Sequence, residues 1–168
     1  MATADDIPAL QRLIIEHARN EWSHPTEDWM THYFEAIRNS QAWAAVADDN
    51  QNIIGAAIFE VGSHFLKYQS GEEEQHGYIA EVVVDGAHAK KGLGTELLRA
   101  AIQELMQKGV KTIYAKRHEE NAPSARMMDK CGFTVVDAFD DWERTSGSRR
   151  TAICQLKISD AEAKFIEW

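Results

Sequence analysis

The chain opens on a helical rhythm. Ile7, Leu10, Leu13 and Ile14 recur at the spacing of one helix face, and the stripe runs on to His17 and Ala18. Thr3 stands ahead of it as an N-cap, and Asp5, Asp6 and Pro8 suit a first turn. The segment Glu21–Thr26 breaks this helix. A second helix is expected from about Glu27 to Asn39, capped by Thr26, with Trp29, Tyr33 and Ile37 as its stripe. Ala42–Ala47 and Ile53–Val61, joined by the polar turn Asp48–Asn52, then read as a hairpin. Residues 62–76 are polar, with Glu72, Glu73 and Glu74 in a row, and are expected to form an exposed loop. Tyr78–Val84 reads as a strand whose Val82-Val83-Val84 run suits burial on both faces.

A turn over 85–91 leads to a helix from Gly92 to Lys108. Leu93, Leu97, Leu98, Ala101, Ile102 and Leu105 form its apolar stripe, and Gly109 stops it. Val110–Lys116 reads as a strand and Pro123–Lys130 as a short helix. Phe133–Ala138 and Thr151–Ile158 are the last strands, with the polar stretch Phe139–Arg150 between them. Ser159 and Glu162 form a capping box for a C-terminal helix. This order predicts an α/β (α+β) domain on a mixed sheet, part antiparallel and part crossover. One domain over 1–158 with a helical appendage over 159–168 accounts for the 168 residues.

Charge and cysteine usage narrow the partners. The chain carries 18 Lys+Arg against 27 Asp+Glu, a net charge of −9. That argues against duplex nucleic acid and against an anionic membrane surface. The first residues lack the basic start and apolar core of a signal peptide. No apolar run approaches the ~20 residues of a membrane span. Cys131 and Cys154 show no CxxC spacing, and reduced thiols in a cytoplasmic protein are the expectation. The seven histidines show neither HxH nor HExxH, so no metal site is expected.

The chemistry concentrates in the stretch from Glu81 to Thr95. A strand ends, a turn follows, and a helix starts between Gly92 and Gly94. Glycines there let backbone approach a ligand, and the N–H groups of the helix start favour an anion. Thr95 adds a hydroxyl, and Lys90 and Lys91 add charge. Thr95 and Glu96 after Gly94 fit neither the phosphate loop GxxxxGK[ST] nor the dinucleotide pattern GxGxxG. The plain alternative is a glycine-started helix with two solvated lysines.

Val84-Asp85 followed by Gly92-Leu93-Gly94 resembles the acetyl-CoA-binding motif of the GNAT N-acetyltransferases. Asn121-Ala-Pro-Ser124, Met128 and Gly132-Phe133 resemble that family's second motif, and Asp5-Asp-Ile-Pro-Ala-Leu its first helix. The resemblance covers nearly the whole chain, with the family's first strand missing or truncated. It implies a mostly antiparallel sheet of six to seven strands, splayed where acetyl-CoA binds. Val82, Val83, Val84, Ala89, Lys90, Lys91, Gly92, Leu93, Gly94, Thr95, Asn121, Ser124 and Met128 are the cofactor-binding positions it implies. Two of them depart from the family pattern. Ala89 stands where Gln or Arg is usual, and Met128 stands where many members carry a Tyr that protonates the leaving thiolate. Methionine has no proton to give.

The implied activity is transfer of an acetyl group to a primary amine by direct attack in a ternary complex. The catalytic candidates are Glu81, at the approach to the splay, and His118. Glu119 and Glu120 are rivals, and a salt bridge at the rim is the plain alternative for Glu81. Trp22, Trp29 and Trp142 lie in regions that frame the family's acceptor site; the first two serve equally well as core. The acceptor is expected to be a small-molecule or peptide amine, and a homodimer is in keeping with the family. A catalytically weak or inactive acyl-CoA-binding module is the alternative that Ala89 and Met128 raise. Charge is divided unevenly. Residues 86–132 hold nine Lys/Arg and five acids, so the rest of the chain is at −13. That suits an anionic donor on one side and a cationic amine on the other.

Overall fold

The structure, a computed structural model, describes residues 1–69 and 71–159; the expected C-terminal helix lies outside them beyond Ser159. After a 3-10 turn at Ala4–Asp6, closed by a Thr3–Asp6 capping box, helix α1 spans Ile7–His17 and α2 spans Glu27–Arg38. Thr26 caps α2, its hydroxyl accepting from Trp29 N at 3.1 Å. Then come β1 (Ala42–Asp49), β2 (Asn52–Gly62), β3 (His76–Val84), α3 (Leu93–Gln107) and β4 (Thr112–His118). The chain continues with α4 (Ala122–Lys130), β5 (Thr134–Asp140) and β6 (Arg150–Lys157). No helix among the described residues is long and apolar enough to cross a membrane.

The six strands form one sheet in the order β1-β2-β3-β4-β6-β5. Among the described residues only β3 and β4 pair in parallel, as the intervening α3 crossover requires. The chain order did not reveal that β6 inserts between β4 and β5. Each sheet face has its own core. Leu97, Leu98, Ala101, Ile102 and Leu105 of α3 pack on Phe59, Ile79 and Ile113. On the other face Leu10 and Ile14 of α1, with Met30, Phe34 and Ile37 of α2, cover Ala44, Ala56, Ile58 and Val83. The stripes read from the sequence are these faces. In α2, however, Met30 and Phe34 are buried and Trp29 is only partly so.

The stretch 62–76 is not wholly an exposed loop. Glu72 and Glu74 are exposed, but Phe65 (6% exposed) and His76 (0%) are buried. Phe65 stacks on Tyr114 at 5.1 Å, and its backbone N–H donates to His76 Nε2 at 2.9 Å. Burial holds the His76 imidazole below its usual pKa. A buried aromatic anchor thus fixes the β2–β3 connection.

The decisive irregularity is in β3. Ile58 faces Glu81 while the next residue, Phe59, faces Ile79, so Ala80 has no partner on β2. This extra residue is a β-bulge. It breaks the two-residue alternation. Ile79, Val82 and Val84 contact the α3-side core, whereas Ala80 and Val83 contact the α1/α2 side. The parallel pairing with β4 also ends at Ile79. From the bulge onward β3 diverges from β4, and Val82–Val84 lie along the opening. Of the three valines only Val83 is fully buried, which corrects the expectation of burial on both faces.

Candidate active site

The divergence of β3 and β4 opens a cleft of about 540 Å³. Val82, Val83 and Val84 line it from β3, Gly94 from α3, and Asn121, Ser124 and Met128 from the start and inner face of α4. On the β4-facing side the backbone N–H and C=O groups of β3 beyond Ile79 have no strand partner. They offer a sheet edge to an extended ligand.

The cleft's anion end is the start of α3. Asn121 Oδ1 accepts from Ser124 N at 3.2 Å and caps α4, but α3 starts with no side-chain cap. Its first N–H groups are therefore free for a ligand. Gly92 takes φ +83, and Lys90 takes φ +63, a left-handed conformation strained for a non-glycine residue. Ala89, Lys90 and Lys91 are exposed beside it, and Leu93 and Thr95 partly buried. A Cβ on Gly94 would meet Met127 Sδ at 3.3 Å and Val84 Cγ2 at 3.8 Å. Met127, not singled out by sequence, thus closes the gap between α3 and α4. These features fit the pyrophosphate and pantetheine arm of a coenzyme A thioester: free N–H donors, lysines and an unpaired strand edge.

At the other end lies Glu81, immediately after the bulge. Its Oε2 accepts from Ser23 Oγ at 3.3 Å. Burial pushes the carboxyl up to about 7, and the Ser23 hydroxyl, the Val82 backbone and the Arg144 charge temper that rise. Trp22, Trp29 and Tyr78 line the cleft near it. Trp142 does not. It is 88% exposed and absent from the cleft wall, although its neighbours Asp141 and Glu143 line it. The β5–β6 loop turns this ring to solvent.

His118 ends β4 rather than sitting in a loop, and it is 1% exposed. Its Nδ1 accepts from Glu120 N at 3.0 Å, so the proton sits on Nε2, which donates to the Ser146 carbonyl at 2.9 Å. Neither nitrogen has a free lone pair. Glu119 binds Arg150 at 3.1 Å, and Glu120 Oε2 accepts from Ser148 N at 3.1 Å. All three rivals of Glu81 are thus tied into the junction of β4 with the β5–β6 loop.

The open mixed sheet is split beside a helix that starts at a glycine. Residues 9–133 match the acetyltransferase (GNAT) family, and the chain belongs to that family. It is 28% identical over 165 residues to the catalytic subunit of the N-terminal acetyltransferase A complex of Arabidopsis thaliana, spanning 98% of this chain and 68% of that one. It is 24% identical over 84 residues to the mycothiol acetyltransferase of Corynebacterium aurimucosum, which is 50% of this chain and 28% of that protein. The chain thus spans little more than a quarter of that relative's length. Among solved structures, the fold is shared with the ribosomal-protein-S18-alanine N-acetyltransferase of Escherichia coli: TM-score 0.74, 19% identity, 94% of this chain and 91% of that one. It is shared too with a Salmonella typhimurium protein holding its cofactor acetyl-CoA: TM-score 0.69, 22% identity, 95% and 92%.

Proposed function

We propose that the protein is an acetyl-CoA-dependent N-acetyltransferase acting on a primary amine, with Glu81 as general base. The observation that carries the reading is the position and acidity of Glu81. The carboxyl stands at the mouth of the β3–β4 split and is pushed up to about 7 by burial. A base of that strength removes protons near neutral pH.

Acetyl-CoA supplies the acetyl thioester. The α3 N-terminus with Lys90 and Lys91 would hold its anionic end, and the edge of Val82–Val84 left unpaired by β4 would supply backbone groups to the arm and a donor for the developing oxyanion. Glu81 takes a proton from the ammonium form of the acceptor, directly or through one water. The freed nitrogen lone pair would form the C–N bond as the C–S bond breaks; the sulfur would leave with the electron pair and the nitrogen would shed its second proton, so that amide, CoA thiol and the proton on Glu81 account for every atom. Met128 has no proton for that sulfur. Ser124, one helical turn earlier on the same face of α4, is a hydroxyl that lines the same cleft; we assign it the hydrogen bond to the departing sulfur. Asn121 caps α4 and so fixes Ser124. His118, with both nitrogens engaged, supports the wall rather than serving as the base.

The cleft wall carries Glu81, Asp141 and Glu143 against Lys116, Arg117 and Arg144, so its acids and cations balance. The likeness to the catalytic subunit of the N-terminal acetyltransferase A complex makes peptide amines the first panel to test, with small-molecule amines beside them. Calorimetry should show CoA binding to wild type and Glu81→Gln alike. Thiol release with the accepted amine should fall ~10²–10³-fold in Glu81→Gln. The wild-type rate should drop as pH falls through about 7. Failure to bind CoA would falsify the reading. Binding without thiol release across the panel would leave a binding module instead.

A further inference from the structure

Three consecutive residues of the α1–α2 loop are each held from across the cleft. The Glu21 carbonyl accepts from Ser146 Oγ. The Trp22 carbonyl accepts from Arg144 Nη1 at 2.6 Å. Ser23 then donates its hydroxyl to Glu81. The Trp22 ring lies on the His118 ring, centroids 4.7 Å apart. Arg144 is itself locked from behind. Its Nε donates to Thr151 Oγ1 at 2.9 Å, that hydroxyl donates to Asp141 Oδ2 at 2.6 Å, and Asp141 lies 3.8 Å from Arg144 Nε. With its side chain 21% exposed, Arg144 is a cation fixed between the β5–β6 loop and the α1–α2 loop.

We propose that Arg144 is a positioning residue for the base: it straps the α1–α2 loop across the cleft so that Ser23 reaches Glu81. The geometry demands a fork. A guanidinium presents donors in two directions from one plane, and here one meets Thr151 and the other the Trp22 carbonyl. The link to Glu81 is one residue further along the same loop. The positive charge also favours the ionised carboxylate, adding to the Ser23 hydrogen bond. The other charged or titratable groups that line the cleft with Glu81 are His17 at the end of α1, His24 on the α1–α2 loop, Tyr78 on its own strand, Lys116, Arg117 and His118 on β4, and Asp141 and Glu143 on the β5–β6 loop.

The inference rests on Glu81 being the base, and the test separates the two. In full-length protein labelled with 13C at glutamate carboxyls, the Glu81 resonance is the one missing from Glu81→Gln. Its titration midpoint is read by NMR with no acceptor needed. Arg144→Gln should move that midpoint up by about one pH unit. Ser23→Ala should also raise it, and the double variant should shift by less than the two single shifts together, because both act through one loop. Arg144→Lys keeps charge without the fork and should raise the midpoint by a smaller amount. If Arg144→Gln does not fold, this variant decides alone. A midpoint at the wild-type value in the folded Arg144 variants overturns the proposal. So does full additivity with Ser23→Ala, which would leave Arg144 acting by charge only. Thiol release by Glu81→Gln tests the base itself, so either idea can fail while the other stands.

Discussion

At the scale of single residues, the proposed base Glu81 also bears on stability. Its carboxyl keeps a proton up to about pH 7 in the fold, against the ordinary 4.5 of a solvated glutamate. Between those values the folded chain binds a proton that the unfolded chain has released. The stability this group contributes is full below about pH 4.5 and is lost as pH rises through about 7. Glu81→Gln removes that loss. The variant should melt above wild type at pH 8, by up to about 1–3 kcal/mol, with the gap closing towards pH 5. Equal melting at both pH values would show that the carboxylate is not destabilised in the fold. Glu81 was legible in the sequence through the family resemblance, as an acid three places before Val84. Ser23 and Arg144 were not: a serine in a helix break and an arginine in a polar loop carry no periodicity, and only folding brings them to the same carboxylate. The outward facing of Trp142 was not legible either. An aromatic residue in a polar loop signals a binding surface by type, but a loop's facing is set by its anchors, here Asp141 to Thr151 and Arg144.

At the scale of elements, close approach governs. Gly77 of β3 sits under α3, where an added Cβ would lie 2.8 Å from Leu105 Cδ1 and 3.1 Å from Ile113 Cγ1. Both neighbours are fully buried. Gly77→Ala should therefore cost about 1–3 kcal/mol in denaturant unfolding and leave α3 lifted from the sheet. An unchanged midpoint of unfolding would show the gap to be compliant. The helices and strands themselves were read with ends within about two residues, because their apolar stripes are long and regular. The bulge was not read. An alternation broken by Ala80 in a run of small and β-branched residues looks the same as a continuous buried strand. Likewise, strand order follows from sheet-wide packing, and no local pattern marks β6 as the strand beside β4.

For the whole molecule, charge is distributed rather than absent. A chain at −9 keeps its segment around α3 and α4 positive. Lys90 and Lys91 are exposed at the anion end, so their contribution should be screened by salt. Replacing both with alanine should weaken CoA binding about tenfold at low ionic strength. At 0.5 M salt the two proteins should bind nearly alike. A loss of the same size at both salt levels would mean that the lysines act by shape. The strap from Arg144 and Ser146 to Glu21 and Trp22 has a different consequence, one that concerns time. It joins positions 122 and 125 apart along the chain, among the longest loops the molecule must close. Such contacts form late, because closure entropy is met before they give anything back. The α1–α2 side of the cleft is thus expected to close after the sheet that carries it, and in refolding the recovery of any turnover should trail the recovery of secondary structure.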